Sequence, residues 1–407
     1  VNTSQGIPYI GRKLGVAKVI EGAVFREGNK VRISVKLIDA ASDQHIWSET
    51  YERPFDDVMA IQASVARTVA RIVQAKLTDQ DEEQLKRVLD IRPKTFESYL
   101  RAMFQYRKET QEGYQRGIEI LEDALANDPT SALAYAALAQ GYMELVHSVL
   151  PKMEAISRAR AAIEKAIELD PTLAEAHMAL GLHQLYGDWD ISAAGVSLKR
   201  AMELNPSLAD AWYHWAWWLE LTGDDEEAIA AGEKTVELSP LHSFYIAWLA
   251  DQYRDVGNYE KAIELAESVI ALSPGFPVAW LVLGGVYGEQ GRFDEAIAAH
   301  EHLAGMPYWE YALGQTYAWA GQPEKALEIA QGYEREPSKG IALAIIYAAL
   351  GDVDKTLYWS KHARENRFPW ALGLFSYFTA TRSMLENPRI QTEAELYPVP
   401  LVPYPKD

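Results

Sequence analysis

The stretch ADAWYHWAWWLELTGDDEEAIAAGEKTVELSP, residues 209–240, decides the fold. Trp212 and Trp215 lie one helical turn apart with Ala216 beside them, so one face of a helix carries large rings next to a small residue. Gly223 stands where a left-handed cap would end that helix. Asp224-Asp225-Glu226-Glu227 then opens a second helix, where the helix dipole favours acids, and Ala228 is its small residue. Ser239-Pro240 ends it, because proline has no amide hydrogen and disfavours helix in the residue before it. The same punctuation recurs outward from here. Pro129, Pro171, Pro206, Pro240, Pro274, Pro307 and Pro337 stand 42, 35, 34, 34, 33 and 30 residues apart.

The register holds residue by residue when each unit is counted from the third residue after its proline. Position 4 carries Tyr135, His177, Trp212, Ile246 and Trp280, and position 7 carries Leu138, Leu180, Trp215, Leu249 and Leu283. Position 8 carries Ala139, Gly181, Ala216, Ala250 and Gly284, and position 20 carries Ala159, Ala194, Ala228, Ala262 and Ala296. Large residues at 4 and 7 fill the space between paired helices, and small ones at 8 and 20 let the backbones approach. This pattern resembles the tetratricopeptide repeat family. The resemblance implies a mainly α fold, a right-handed superhelix of about eight helix pairs over residues 94–390. The pairs run roughly 94–129, 130–171, 172–206, 207–240, 241–274, 275–307, 308–337 and 338–369. The second carries extra residues around Val146–Met153, read as a longer turn, and the end units depart from the pattern as capping units do.

Residues 1–93 read as a separate small α+β domain. Val16–Arg26 and Lys30–Asp39 form a hairpin around Glu27-Gly28-Asn29, the second strand alternating Val31, Ile33, Val35 and Leu37 against Arg32, Ser34 and Lys36. His45–Tyr51 is a third strand, and from Phe55 the period becomes helical through Val58, Ile61, Val65, Val69 and Ile72. The strings Ile10-Gly11-Arg12-Lys13-Leu14-Gly15-Val16, Ile20-Glu21-Gly22-Ala23-Val24 and His45-Ile46-Trp47-Ser48-Glu49 resemble the TolB amino-terminal-like domain over about residues 5–77. That resemblance implies a bacterial signalling protein in which the pair of domains follows an adenylate cyclase or CadC-type regulator, with a periplasmic location expected and a cytoplasmic one as the alternative. The family domain starts with a further strand and helix that this sequence lacks, which leaves an open sheet edge and an expected homodimer through it. The chain begins with Val1 and carries no signal peptide, so it reads as a fragment or processed product.

Composition narrows the function classes. There is no cysteine, hence no disulfide or thiolate chemistry, and no run approaches the roughly 18–20 apolar residues of a membrane span. The net charge of −19 is uneven: residues 1–94 carry +2 and residues 95–407 carry −21. Such an array repels nucleic acid and favours a neutral or basic partner. His300-Glu301-His302 places its histidines on different helix faces, the Gly284–Gly291 run lacks a phosphate loop's lysine, and no nucleophile–base set can be assembled. The chain is therefore expected to be no enzyme, with no cofactor and no metal. Residues 391–407 read as a proline-rich tail in which Tyr397–Asp407 is expected to be extended, either packed on the array or loose, and Leu385–Ile390 reads as a last helix running into an Asn-Pro-Arg turn.

Function is placed in the concave groove. Positions 2, 5, 9 and 12 of the first helices supply Tyr213, Trp217 and Glu220, then Phe244, Asp251 and Arg254, then Tyr308, Tyr311 and Gln315, with Trp319 one step on. Exposed rings interleaved with acids and one arginine suit an extended peptide or protein partner. The alternatives are a carbohydrate or other small ligand stacking on the same rings, and a self-assembly module. A competing reading packs Trp217 and Trp218 between repeats. Trp212→Ala is expected to cost about 3–5 kcal/mol as a buried aromatic, and Trp217→Ala much less if that ring lines an open groove. Chemical denaturation of the two variants separates these cases.

Overall fold

Three antiparallel strands in the order β1–β2–β3 open the chain: β1 (Lys18–Glu27), β2 (Lys30–Asp39) and β3 (His45–Pro54). The computed structural model describes residues 6–78, 81–82, 85–87, 91–108, 110–145, 152–306 and 309–401. Two compact units result, Val1–Leu138 and Ala139–Asp407. In the first, the alternation of β2 buries Val31, Val35 and Leu37 on one face. Helix α2 (Val58–Ile72) covers that face with Met59, Ile61 and Ala63, beside Phe55 and Tyr51. The other face pairs charges across strands, Arg32 with Glu52 at 2.5 Å and Lys36 with Glu21 at 3.3 Å. Helix α1 (Ile7–Leu14), which the sequence reading left unassigned, precedes the sheet and ends on Gly15 at φ +64°.

The first helix pair, α3 (Pro93–Tyr106) and α4 (Gln111–Asn127), lies in the same unit as the sheet. Arg26 lies over the Phe55 ring at 3.8 Å and pairs with Glu97 of α3 at 3.0 Å. The Thr95 hydroxyl donates to the buried Asp128 at 2.7 Å, closing the pair at its far end.

Helix pairs then follow one another. They are α5 (Ala132–Leu145) with α6 (Lys152–Leu169), α7 (Ala174–Leu182) with α8 (Ile191–Leu204), and α9 (Ala209–Thr222) with α10 (Asp225–Leu238). Next come α11 (Ser243–Asp255) with α12 (Tyr259–Leu272), α13 (Pro277–Glu289) with α14 (Phe293–His300), α15 (Tyr311–Trp319) with α16 (Pro323–Tyr333), and α17 (Gly340–Ala349) with α18 (Val353–Glu365). The small positions are where the helices meet: Ala139, Ala216, Ala250, Ala159, Ala194, Ala228, Ala262 and Ala296 are all buried. The turn inside a pair is a two-residue device. Gly223, Gly257, Gly291, Gly321 and Gly351 adopt φ between +71° and +83°. The next residue often caps the second helix, with the Asp224, Asn258 and Asp352 side chains accepting amides three residues on. The third pair lacks the glycine; α7 runs into a π turn, His183–Asp188, and Trp189 takes the left-handed position at φ +59°.

Position 4 has a second duty that its size does not announce. The indoles of Trp212 and Trp280 donate to the carbonyls of Pro206 and Pro274 at 2.9 and 2.7 Å, and His177 Nε2 lies 2.9 Å from Pro171 O. These side chains satisfy carbonyls in the turn just past the preceding helix. Trp212 is accordingly half-buried, not enclosed, against Met178 and Leu198. The extra residues of the second pair fall largely on 146–151, outside the described residues. After α18 the expected terminal turn is instead a start signal: the Asn387 side chain accepts the Arg389 amide at 3.0 Å and Pro388 is the first residue of a further helix, Pro388–Ala394. The tail packs as well, with Tyr397 and Val399 buried.

The close approach at position 8 can be tested directly. A methyl on Gly284 would overlap the ring of His300, which is buried and held by Thr316 Oγ1 at 2.8 Å and Leu281 O at 3.1 Å. Gly284→Ala is expected to lower stability by about 1–3 kcal/mol. Gly332→Ala, on an exposed helical site with open space around it, is expected to raise stability by about 0.4–1 kcal/mol. Urea midpoints of both variants report this; equal effects would refute the close approach.

Candidate functional site

The first helices α9, α11, α13 and α15 form one continuous face, and the described residues expected to line the groove lie on these helices. It is not open. The chain leaves α18 through Asn366, takes a left-handed step at Arg367 (φ +46°), and runs back over this face as a short 3-10 turn (Pro369–Gly373), a bend and a one-turn helix (Thr379–Arg382). Arg367 Nη1 donates to the Gly187 and Asp188 carbonyls at 3.3 and 3.4 Å. Trp370 stacks on Trp248 with centroids 5.7 Å apart and meets Trp217 edge-on at 5.4 Å. Tyr377 also meets Trp217 edge-on at 5.2 Å, and its hydroxyl donates to Asp251. Phe378 packs edge-on against Tyr311, the Thr379 hydroxyl donates to Glu289 at 2.9 Å, and Arg382 pairs with Asp255 at 3.0 Å.

The expected exposure of the groove is therefore corrected at its centre. Trp217 is 5% exposed, Asp251 1% and Arg254 9%. Trp217 is buried neither by a neighbouring repeat alone nor by solvent's absence from a tight core, but by the returning segment. Tyr213 and Phe244 face each other edge-on at 5.1 Å and Tyr213 also contacts Tyr245. Glu220 is half-buried, Tyr311 sits under Phe378, and Gln315 is half-buried beside it in sequence on α15. Trp319 packs near Gly288 of α13. Tyr308 lies outside the described residues. Trp218, by contrast, follows the packing reading, stacked on Trp215 at 4.7 Å and donating to Ile191 O at 2.7 Å.

Sequence reasoning missed Trp248, Asp255 and Glu289 on the face, and the whole segment that covers it. The signal was present: Pro369–Phe378 is ten residues without a charge and without a helical period, which sets it apart from the helix pairs before it.

The face is acidic and dry. Asp251 pairs with Arg254 at 3.0 Å, and Arg254 also faces Glu289 at 3.8 Å. Burial raises Asp251 to about 6, opposed by Arg254 and helped by Glu289. Burial raises Asp255 to about 7 against the pull of Arg382 and Arg254. Burial, with the charge of Asp210, raises Glu144 to about 7, and Glu220 is pushed well up by burial and the charge of Asp255. Among the described residues, no group of three or more metal-ligating side chains is assembled. His183 pairs with Asp188 at 3.2 Å, but burial holds its pKa below the usual imidazole value.

Two measurements test this geometry. Trp217→Ala is expected to cost about 3–5 kcal/mol, as for an enclosed aromatic, and to speed cleavage of the 367–382 segment in limited proteolysis; a small cost would reopen the groove. The folded chain keeps the Asp255 proton up to about pH 7, against 3.8 for an ordinary aspartate. Its contribution to stability is complete below 3.8 and is lost as pH rises through 7. Relative to Asp255→Asn, the wild type should lose stability between those limits, by at most about 1.4 kcal/mol per pH unit. Parallel pH curves for the two proteins would refute the shift.

A family model of the tetratricopeptide repeat matches residues 253–304. The curated protein "Putative adenylate cyclase 3" of Rhizobium meliloti (strain 1021) is 28% identical over 183 residues, 43% of this chain and 30% of that protein. Among solved structures, the APC/C hetero-tetramer Cut9–Hcn1 aligns at 17% identity and a TM-score of 0.49, over 69% of this chain and 52% of that one. Yeast Tom70 aligns at 14% identity and a TM-score of 0.44, over 74% and 67%. The chain thus spans less than a third of the Rhizobium protein and about half of the Cut9–Hcn1 chain. The matched residues sit within helix pairs that share one period, small contact positions and a glycine turn, so residues 253–304 are similar to tetratricopeptide repeats and the flanking pairs follow the same pattern.

Proposed function

We propose that this chain is a protein-interaction scaffold whose repeat array binds an extended polypeptide along the face of its first helices. One observation carries the reading: that face is built to hold a polypeptide, because the chain's own residues 367–382 lie on it through aromatic contacts and charge-assisted hydrogen bonds. The carboxylates there favour a basic partner, in keeping with the −21 charge of residues 95–407. A regulatory role in a bacterial membrane signalling protein, with the repeats on the periplasmic side, rests on the TolB-like resemblance of residues 5–77 and on the relative named as an adenylate cyclase. No described helix is long and apolar enough to cross a membrane. A carbohydrate receptor finds less support, since Trp217 and Trp248 are 5% and 7% exposed and offer no open ring face.

A second reading concerns self-association. On β1 the side chains of Ile20 and Val24 continue the apolar sheet face beyond α2 and are 55% and 70% exposed, and β1 is an edge strand. A homodimer through β1 would cover both. Sedimentation equilibrium is expected to show a concentration-dependent dimer that Val24→Lys abolishes; a monomer at all concentrations would remove this reading.

The main proposal is tested by panning a random peptide display library against the whole chain. The expected outcome is enrichment of basic, aromatic peptides whose affinity falls with added salt. Enrichment of acidic peptides, or of none, would overturn it.

A further inference from the structure

The segment that covers the face meets the array in an unusual way. Its backbone amides bond inward: Ala371 to Phe368 O, Leu374 to Ala371 O, Tyr377 and Phe378 to Gly373 O, and Arg382 to Phe378 O. From Trp370 to Arg382 the contacts with the first helices are therefore made by side chains, and they fall on α9, α11, α13 and α15. Several are polar and specific. A tyrosine hydroxyl meets Asp251, a threonine hydroxyl meets Glu289, and an arginine whose side chain is 2% exposed meets Asp255. A desolvated ion pair adds little net stability compared with apolar packing of the same volume, and acts through selection. Trp217 and Trp248, the rings at the middle of the face, are clamped on Trp370.

We propose that residues 367–382 are a ligand held in cis. The same face recognises, in trans, a polypeptide segment of matching chemistry: a tryptophan, a tyrosine seven residues on, and an arginine five residues beyond that. The partner displaces the resident segment to bind. This deepens, and rests on, the reading of the face as a polypeptide-binding surface. A tethered ligand acts at an effective concentration of roughly millimolar, so the resident segment sets the affinity threshold that a partner must exceed and excludes weak or mismatched peptides.

The test uses the full chain and a fluorescein-labelled synthetic peptide of residues 366–384, read by anisotropy. In the chain, Arg382→Glu sets a second acid against Asp255 and weakens the resident segment. That variant is expected to bind the wild-type peptide roughly tenfold or more tighter than the wild-type chain does. A peptide carrying the same Arg382→Glu change should bind neither chain. A folded variant that gains nothing, or that binds both peptides alike, overturns the proposal. Hydrogen exchange on the wild type decides independently of that variant's folding. The Leu374, Tyr377, Phe378 and Arg382 amides should exchange at least roughly tenfold faster than those in the middle of α11. Exchange at the α11 rate would make the segment a permanent part of the core and overturn the proposal. If library peptides bind in a salt-dependent manner while the 366–384 peptide does not, this inference fails and the scaffold reading stands; if neither binds, both fall.

Discussion

Everything in the repeat unit depends on two backbones being able to touch. Ala216 and Ala228, and Ala250 and Ala262, leave only methyl groups where paired helices meet, and Gly284 leaves the room that the His300 ring fills, so these pairs close tightly. Repetition of one close contact, with a turn fixed by a glycine at φ +71° to +83° from the fourth pair onward, brings the first helices α9, α11, α13 and α15 onto one face. It also brings the chain beyond the array's last pair back to the third pair: Arg367, just past the eighth pair, reaches the carbonyls of the π turn there. The returning segment finds its place because that geometry has already been set by methyl-sized residues elsewhere.

What the face lacks explains what lies on it. Asp251, Asp255, Glu220 and Glu144 are drawn out of water by the fold, and each has its pKa raised by that burial. Arg254 offsets part of this from within α11. The segment supplies further compensation, a guanidinium for Asp255 and hydroxyl donors for Asp251 and Glu289. Buried carboxylates with no such partner would cost several kcal/mol each or stay protonated. The acidity legible in the composition is thus a local electrostatic demand at one face and not merely a solvated surface.

The fold was legible because its determinants are local and periodic. Proline spacing, the glycine before each second helix and the small residues at two positions each state one geometric need, and the alternation of Val31, Ile33, Val35 and Leu37 states another. The site was legible only in part. Trp217, Asp251, Arg254 and Tyr311 could be placed on the first helices by counting, since a helix face follows from spacing. That they would be covered could not, because the cover is a contact between residues more than a hundred positions apart, as between Asp251 and Tyr377. The indole of Trp212 reaching Pro206 O was hidden for a different reason: a ring's polar edge carries no signal in a hydrophobic pattern. Asn387-Pro388 was misread because the same dipeptide can end one helix or begin the next, and tertiary packing of Ile390 and Ala394 chose the second.

The balance within residues 367–399 is uneven along its length, and this bears on how the segment could act. Leu372, Leu374 and Phe375 are wholly buried, and Tyr397 anchors the far end by meeting Phe375 edge-on and donating to Ser360 O at 2.7 Å. Arg364 and Glu393 pair at 2.8 Å beneath it. Between these anchors, Tyr377, Thr379 and Arg382 are held by polar contacts to acids whose own burial is costly. Apolar burial therefore fixes where the segment lies, while the charged contacts decide which side chains the face accepts at Asp251, Glu289 and Asp255. A competing polypeptide that brought rings without an arginine would leave Asp255 desolvated and unpaired, and one that brought an arginine without rings would forfeit the contacts on Trp217 and Trp248. Selectivity at this face then requires both features in one segment, at a spacing the first helices have already set.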